Sequence, residues 1–171
     1  EYDYSATGVK KNTRTNSLGL DVNIPCSSKF AFKGELWRGT NLDQFAGGIA
    51  QGTVVRTASG TKTLRYLNAT KFDGVFQDIE SIEAKGGWLE LNFGPFSKKW
   101  NFNLGASIDN PRDDLLPDGS RTKNTSRWLN ALYDLNDSVQ FGIEISRWVT
   151  AYKNKTDGSD NRIQSSCIYK F

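Results

Sequence analysis

The chain has 171 residues, 37% of them hydrophobic and 24% charged, and its 22 basic and 19 acidic side chains leave a formal net charge of +3. No apolar run approaches the roughly 18 residues that a membrane helix requires. The charges are scattered, so neither a helical membrane protein nor a nucleic-acid surface is expected. The length suits a single domain over 1–171. Histidine is absent, which removes the commonest general base and metal ligand. With no Gly-rich phosphate loop and no nucleophile constellation beside it, we expect no enzyme, metal site or cofactor. Methionine is absent too and the first residue is Glu1, so the sequence reads as a processed or excised product whose targeting signal has gone.

What remains is a series of segments that alternate with a period of two, the pattern of a strand with one apolar and one wet face. Tyr2 to Val9 sets Tyr2, Tyr4 and Ala6 on one side. Thr15 to Ile24 sets Leu18, Leu20, Val22 and Ile24 against Ser17, Gly19, Asp21 and Asn23. A turn with Pro25 and Cys26 follows over Asn23 to Lys29, and then Phe30 to Arg38 sets Phe30, Phe32 and Leu36 against Lys33, Glu35 and Trp37. After a long polar connection from Gly39 to Asp78, the parity breaks between Ile79 and Phe93, where Ile82 and Ala84 are even but Leu89, Leu91 and Phe93 odd. A bulge at Gly86-Gly87 is expected to restore the faces.

A short turn over Gly94 to Lys99 leads to the clearest strand, Trp100 to Asp109, with Trp100, Phe102, Leu104, Ala106 and Ile108 on one parity. A long loop is expected over Asn110 to Thr125. Arg127 to Leu135 and Val139 to Tyr152 then pair across the short turn Asn136 to Ser138, a further long loop covers Lys153 to Asn161, and Arg162 to Phe171 closes the chain with Ile163, Cys167, Tyr169 and Phe171 on its apolar face. Cys167 behaves there as a small hydrophobe, and no disulfide with Cys26 is expected.

Short turns thus alternate with long loops, and with Tyr2 to Val9 the strand count is eight. Phe30, Phe93, Trp100, Tyr133, Phe141, Tyr169 and Phe171 all gather near the short-turn ends, as one interfacial girdle of a transmembrane β-barrel requires. Arg127 and Arg147 fall on the apolar parity nearer the loop end. There, either their stems snorkel and their guanidinium groups meet lipid phosphates, or the register shifts. The fold class is therefore all-β: a transmembrane antiparallel barrel of about eight strands in this chain.

Specific strings carry a resemblance. Gly34 to Leu42 (GELWRGTNL) runs into Ala46 to Gly52 (AGGIAQG), followed by Lys85-Gly86-Gly87-Trp88, Ile108-Asp109-Asn110-Pro111, Arg121-Thr122-Lys123-Asn124, Ser146-Arg147-Trp148 and the terminal Ile168-Tyr169-Lys170-Phe171. In this order they resemble the C-terminal part of Gram-negative outer-membrane porins, in particular the trimeric porins linked to dicarboxylate uptake. The resemblance implies localisation in the outer membrane, lipid and lipopolysaccharide as neighbours, a homotrimer, and a water-filled barrel for small solutes narrowed by an inward-folded loop. Such barrels have about sixteen strands. The chain is then either the C-terminal portion of a larger barrel or a self-contained eight-stranded one, whose interior side chains would fill.

The wet parity supplies the pore-lining candidates Asp21, Lys33, Glu35, Trp37, Glu144, Arg162 and Lys170. On the functional reading they set a transverse field that selects permeating solutes; on the plain one they pair to plug a small barrel. Asn41, Asp43 and Gln44, followed by Gly47-Gly48, form the candidate constriction loop, with an ordinary exposed loop as the alternative. Asp113, Asp114, Asp118, Asp157 and Asp160 match no EF-hand spacing and read as solvated loop charge. A soluble lipocalin-like binder, with the apolar parity turned inward, is the competing architecture.

Overall fold

A computed structural model describes residues 13–45, 49, 52–57, 60–65 and 76–171. Within them lie β1 (Asn16–Ser27), β2 (Phe30–Thr40), a 3-10 turn (Leu42–Phe45), β3 (Thr53–Thr57), β4 (Lys62–Arg65), β5 (Phe76–Ser81), β6 (Glu83–Phe96), β7 (Trp100–Pro111), β8 (Arg121–Asp134), β9 (Val139–Tyr152) and β10 (Lys155–Tyr169). The chain is all-β. Seven strands form one antiparallel sheet in the order β1-β2-β6-β7-β8-β9-β10, and β4-β3-β5 form a small second sheet. The segment Tyr2 to Val9 lies outside the described residues.

Alternation along each strand becomes two chemically distinct faces because the register is nearly continuous. One row runs from edge to edge through Ile24, Phe32, Leu91, Leu104, Leu129, Ile145 and Ile163. The next row toward the short turns runs through Phe30, Phe93, Phe102, Ala131 and Ile143. Almost none of this face is covered: Leu18 and Ile163 are each 78% exposed, Leu36 64% and Ile143 55%.

The dry core sits elsewhere, at the loop end of the sheet. Val54, Ile82, Leu115 and Leu116 pack into one buried cluster, which joins the small sheet to the 112–120 loop. Lys153 Nζ donates to the carbonyls of Asp113 and Leu116, both at 2.7 Å, and Lys62 Nζ to that of Asp114 at 2.7 Å. Arg112 grips Asp114 with Nε and Nη2, each at 2.7 Å. This hydrogen bond and the guanidinium charge hold the Asp114 carboxyl below the usual aspartate range.

Four expectations change. The seven-stranded sheet is open rather than closed, since β1 and β10 each have one neighbour among the described residues. No bulge occurs at Gly86-Gly87, which pair in register with Trp37 and Leu36; the parity break lies at Ile82, where the chain leaves the small sheet at β5 and enters the large one at β6. The connection between β2 and β6 is not plain loop but carries the second sheet. The expected loop Lys153 to Asn161 is a two-residue turn, with Asn154 in the left-handed region at φ 54° and its Nδ2 donating to Asp118 Oδ1 at 2.8 Å. Residues from Lys155 onward are strand, held by pairs such as Thr150 with Gly158 and Trp148 with Asp160.

The aromatic placement agrees with expectation. Phe30 and Phe93 lie 5.2 Å apart, Trp100 and Tyr133 4.7 Å, and Tyr169 and Phe171 6.5 Å, all toward the turns at 28–29, 97–99 and 135–138. The middle turn is built by Ser97 (φ 48°) and Lys98 (φ 56°), closed by Lys99 N–H on Phe96 O at 3.0 Å, the two-residue geometry that matches strand twist. Both cysteines are free and exposed, and Cys26 lies at the register shift near the end of β1 rather than in the turn itself.

Ile82 is wholly buried, so Ile82→Ala should cost about 2–5 kcal/mol. Hydrogen exchange should show the loss in β3 to β5 and 112–120 with β7 to β9 unchanged; equal loss in both would show that the two sheets unfold as one. The Asp114 contribution should be complete above the ordinary aspartate pKa and disappear as pH falls through its lowered value, which a carboxyl-carbon NMR titration reads directly.

Candidate functional site

The polar face of the large sheet gathers every pore-lining residue expected from the sequence. Asp21 stands directly opposite Glu35, and Lys33 stands between Asn23 and Glu90. Glu144 lies between Asn130 and Gln164, and Arg162 opposite Ser146. Lys170 follows β10 with its Nζ 3.8 Å from Asp134 Oδ1. The signs do not sort into an acidic and a basic wall: Arg162 Nε bonds its own neighbour on that face, Asp160 Oδ2, at 2.7 Å.

Residues that the sequence reading passed over complete the face. Trp88, Glu90 and Asn92 of β6, opposite in parity to Leu89, Leu91 and Phe93, lie on it, and Trp128 and Trp148 follow by parity on β8 and β9. Trp37 and Trp128 lie flat across the sheet because their cross-strand partners, Gly86 and Gly105, lack side chains. A Cβ on either glycine would collide with the indole. Each of two indole N–H groups donates to a carboxylate, Trp88 to Glu35 Oε2 at 3.0 Å and Trp128 to Glu90 Oε2 at 2.9 Å.

A chain of amides crosses the face below them. Asn92 Nδ2 donates to Glu90 Oε1 at 2.7 Å and to Asn103 Oδ1 at 2.6 Å, and Asn103 Nδ2 donates to Asn130 Oδ1 at 2.6 Å. Asn130 Nδ2 continues it to Glu144 Oε2 at 3.4 Å. Most half-buried polar groups are thereby satisfied from strand to strand, while Asn92 Oδ1 and Ser146 Oγ on this face are buried with no hydrogen-bond partner among the described residues.

The described residues of the candidate constriction segment, 41–45 and 49, lie at the loop end of this same face, and Gly47 and Gly48 lie outside the described residues. Asn41 turns the chain in the left-handed region at φ 55°, its N–H bonding Ile82 O at 2.9 Å and its Nδ2 bonding Thr15 Oγ1 at 3.0 Å. Leu42 then occupies the space that a Cβ on Gly39 would need. Asp43, half-buried, and Gln44 belong to the 3-10 turn, and further on Ile49 N–H donates to Asp109 Oδ2 at 2.8 Å. Between segment and sheet lies a groove of about 450 Å³, lined among others by Glu35, Trp37, Leu42, Trp88, Asp109 and Trp148.

On the opposite, apolar face Arg127 stands directly across from Arg147 with the register unbroken, so the alternative of a register shift there is removed. Arg38 and Lys85 form a second opposed basic pair on that face, and Arg38 Nη2 binds Glu83 Oε1 at 2.6 Å.

No family model, curated protein or solved structure matches this chain.

Glu90 anchors both an indole and the amide chain. Replacing it with Ala should cost about 1–3 kcal/mol, the cost of leaving such donors without an acceptor, while Glu90→Gln should recover part of it. Denaturant midpoints would measure both, and equal midpoints for the Ala variant and the parent would mean that water serves these donors as well.

Proposed function

We propose that this chain forms part of the wall of a transmembrane β-barrel in a Gram-negative outer membrane and works as a porin, a passive diffusion channel for small hydrophilic and charged solutes. The observation that carries this reading is the uncovered apolar face. Large side chains stand exposed in rows from β1 to β10, and fully burying one such side chain is worth about 1.5–3 kcal/mol. Half a dozen of them already match the net stability of a domain, about 5–15 kcal/mol. A contiguous patch of this kind needs a cover, and lipid supplies one along the whole face.

Strand length and flanking chemistry support the same reading. β6, β8 and β9 have 14 residues and β10 has 15, more than the about 9–11 that cross a bilayer. Aromatic rings bound the apolar band at the turn end, and Arg127 and Arg147 bound it toward the loops, where lipid and lipopolysaccharide phosphates would meet them. The chain's own Leu42 and Ile49 segment covers the polar face, not the apolar one, which disfavours a lipocalin-like interior built from the apolar rows. The trimer enters from the family resemblance, and with it the narrowing role of Asn41, Asp43 and Gln44.

Strand direction limits how the barrel is completed. With seven antiparallel strands in sequence, β1 and β10 both run from the loop end to the turn end, so they cannot pair antiparallel with each other. Closure needs an odd number of further strands. One gives an eight-stranded barrel, with a structural or adhesive role; nine give one of about sixteen with an aqueous channel.

Folded protein in planar bilayers should show discrete conductance steps, and their absence would favour the eight-stranded form. Facing is tested with thiols. In a Cys26→Ser background, native Cys167 on the apolar face should resist a water-soluble thiol reagent in bilayers. With Cys167→Ser and Ser166→Cys, the thiol moved to the polar face should react. The reverse pattern would sink the membrane reading in favour of an apolar interior.

A further inference from the structure

We infer that the groove beneath the Leu42 segment is a binding site for organic cations, not for the dianions that the family resemblance suggests. The inference deepens the porin reading and rests on it for the solute path, although binding itself does not. Three indoles, Trp37, Trp88 and Trp148, line this groove of about 450 Å³ together with the carboxylates of Glu35 and Asp109, and among the described residues no Lys or Arg lines it. Its volume falls in the range of small-molecule sites, about 300–1,000 Å³.

The electrostatics favour a cation twice over. Across the face, among the described residues, the acids Asp21, Glu35, Glu90, Glu144 and Asp160 outnumber the bases Lys33 and Arg162, with Lys170 committed to Asp134 at the turn end. Beside the groove, Asp21 and Glu35 are directly opposed, a like-charge pair that destabilises a sheet unless something positive offsets it. A dicarboxylate entering here would add to that repulsion; Lys33 stands in the next row opposite Glu90, and Arg162, against the Trp148 ring, is already paired with Asp160.

The chain also carries its own example of the recognition. The Arg162 guanidinium lies 5.2 Å from the Trp148 ring centroid while its Nε bonds Asp160 at 2.7 Å, so an indole and a carboxylate on this face hold a cation between them. Trp88, whose N–H is committed to Glu35 at 3.0 Å, and Trp37, fixed over Gly86, repeat that pairing on the other side of the groove. Held indoles lose little freedom on binding, and the indole face is the strongest of the aromatic cation acceptors. A quaternary ammonium ion is the simplest ligand of this class, because it needs ring faces and a diffuse negative field but no hydrogen bond.

The test is calorimetric titration of the folded full chain in detergent micelles with choline, succinate and maltose. Choline should bind and the other two should not. Trp88→Leu should weaken choline about tenfold, between the scales of an exposed and a desolvated cation–π contact, and Trp88→Phe less. Should the Leu variant not fold, the Phe variant and Trp37→Phe carry the comparison. Binding of succinate or maltose with equal or higher affinity, or choline affinity indifferent to both tryptophans, would overturn the inference. Choline binding without conductance would remove the porin reading and leave this one standing; conductance without choline binding would do the opposite.

Discussion

A seven-stranded sheet whose apolar face is left almost uncovered by the described residues is the constraint on which the other features of this chain depend. In most domains the sheet's apolar side is the core. Here the dry core is a small cluster of Val54, Ile82, Leu115 and Leu116 at one end, too small to hold strands of 14 residues. The large sheet is held by its backbone ladder, by cross-strand amides and indoles on the wet side, and by whatever covers the other. Those polar connections carry more of the structure than they would in a soluble domain, since the apolar rows contribute only once they leave water.

The two faces also divide the arginines. Arg162 is balanced by Asp160 and an indole on the wet side, whereas Arg127 and Arg147 face each other among apolar neighbours. Like charges in that setting are tolerated where an anion or water reaches them, and on the proposed membrane reading β8 and β9 meet the polar boundary at their height, with the aromatic pairs at the turn end at the other.

Much of this was legible in the sequence. Strict alternation in β1, β2, β7, β8 and β9 assigned both faces, and all seven residues expected to line a pore fall on the wet one. The break is expected at Gly86-Gly87 and not at Ile82 because one parity break has two physical causes, a bulge within a strand or a passage between sheets, and alternation does not distinguish them; Trp88, Glu90 and Asn92 follow from the parity of Leu89, Leu91 and Phe93 under either. Trp128 and Trp148 escaped because an indole counts as apolar until its cross-strand neighbours, Gly105 with Glu90 nearby for Trp128 and Ser126 and Asp160 for Trp148, give it a place on a wet surface. The start of β10 reads as loop because Thr156 to Asn161 is polar on both faces and rich in turn residues; its strand character comes from the ladder to β9, which composition does not encode. The short strands of the second sheet carry too few residues for any period to emerge.

The shared direction of β1 and β10 bears on how such a sheet is allowed to change. Adding or losing a hairpin alters the strand count by two and leaves both edges pointing as before, so every remaining pair and both faces survive. Adding or losing a single strand turns one edge around and removes the site where its neighbour must dock. Lineages of this architecture are therefore expected to grow and shrink in steps of a hairpin, with the rows of Ile24 to Ile163 inherited as a block.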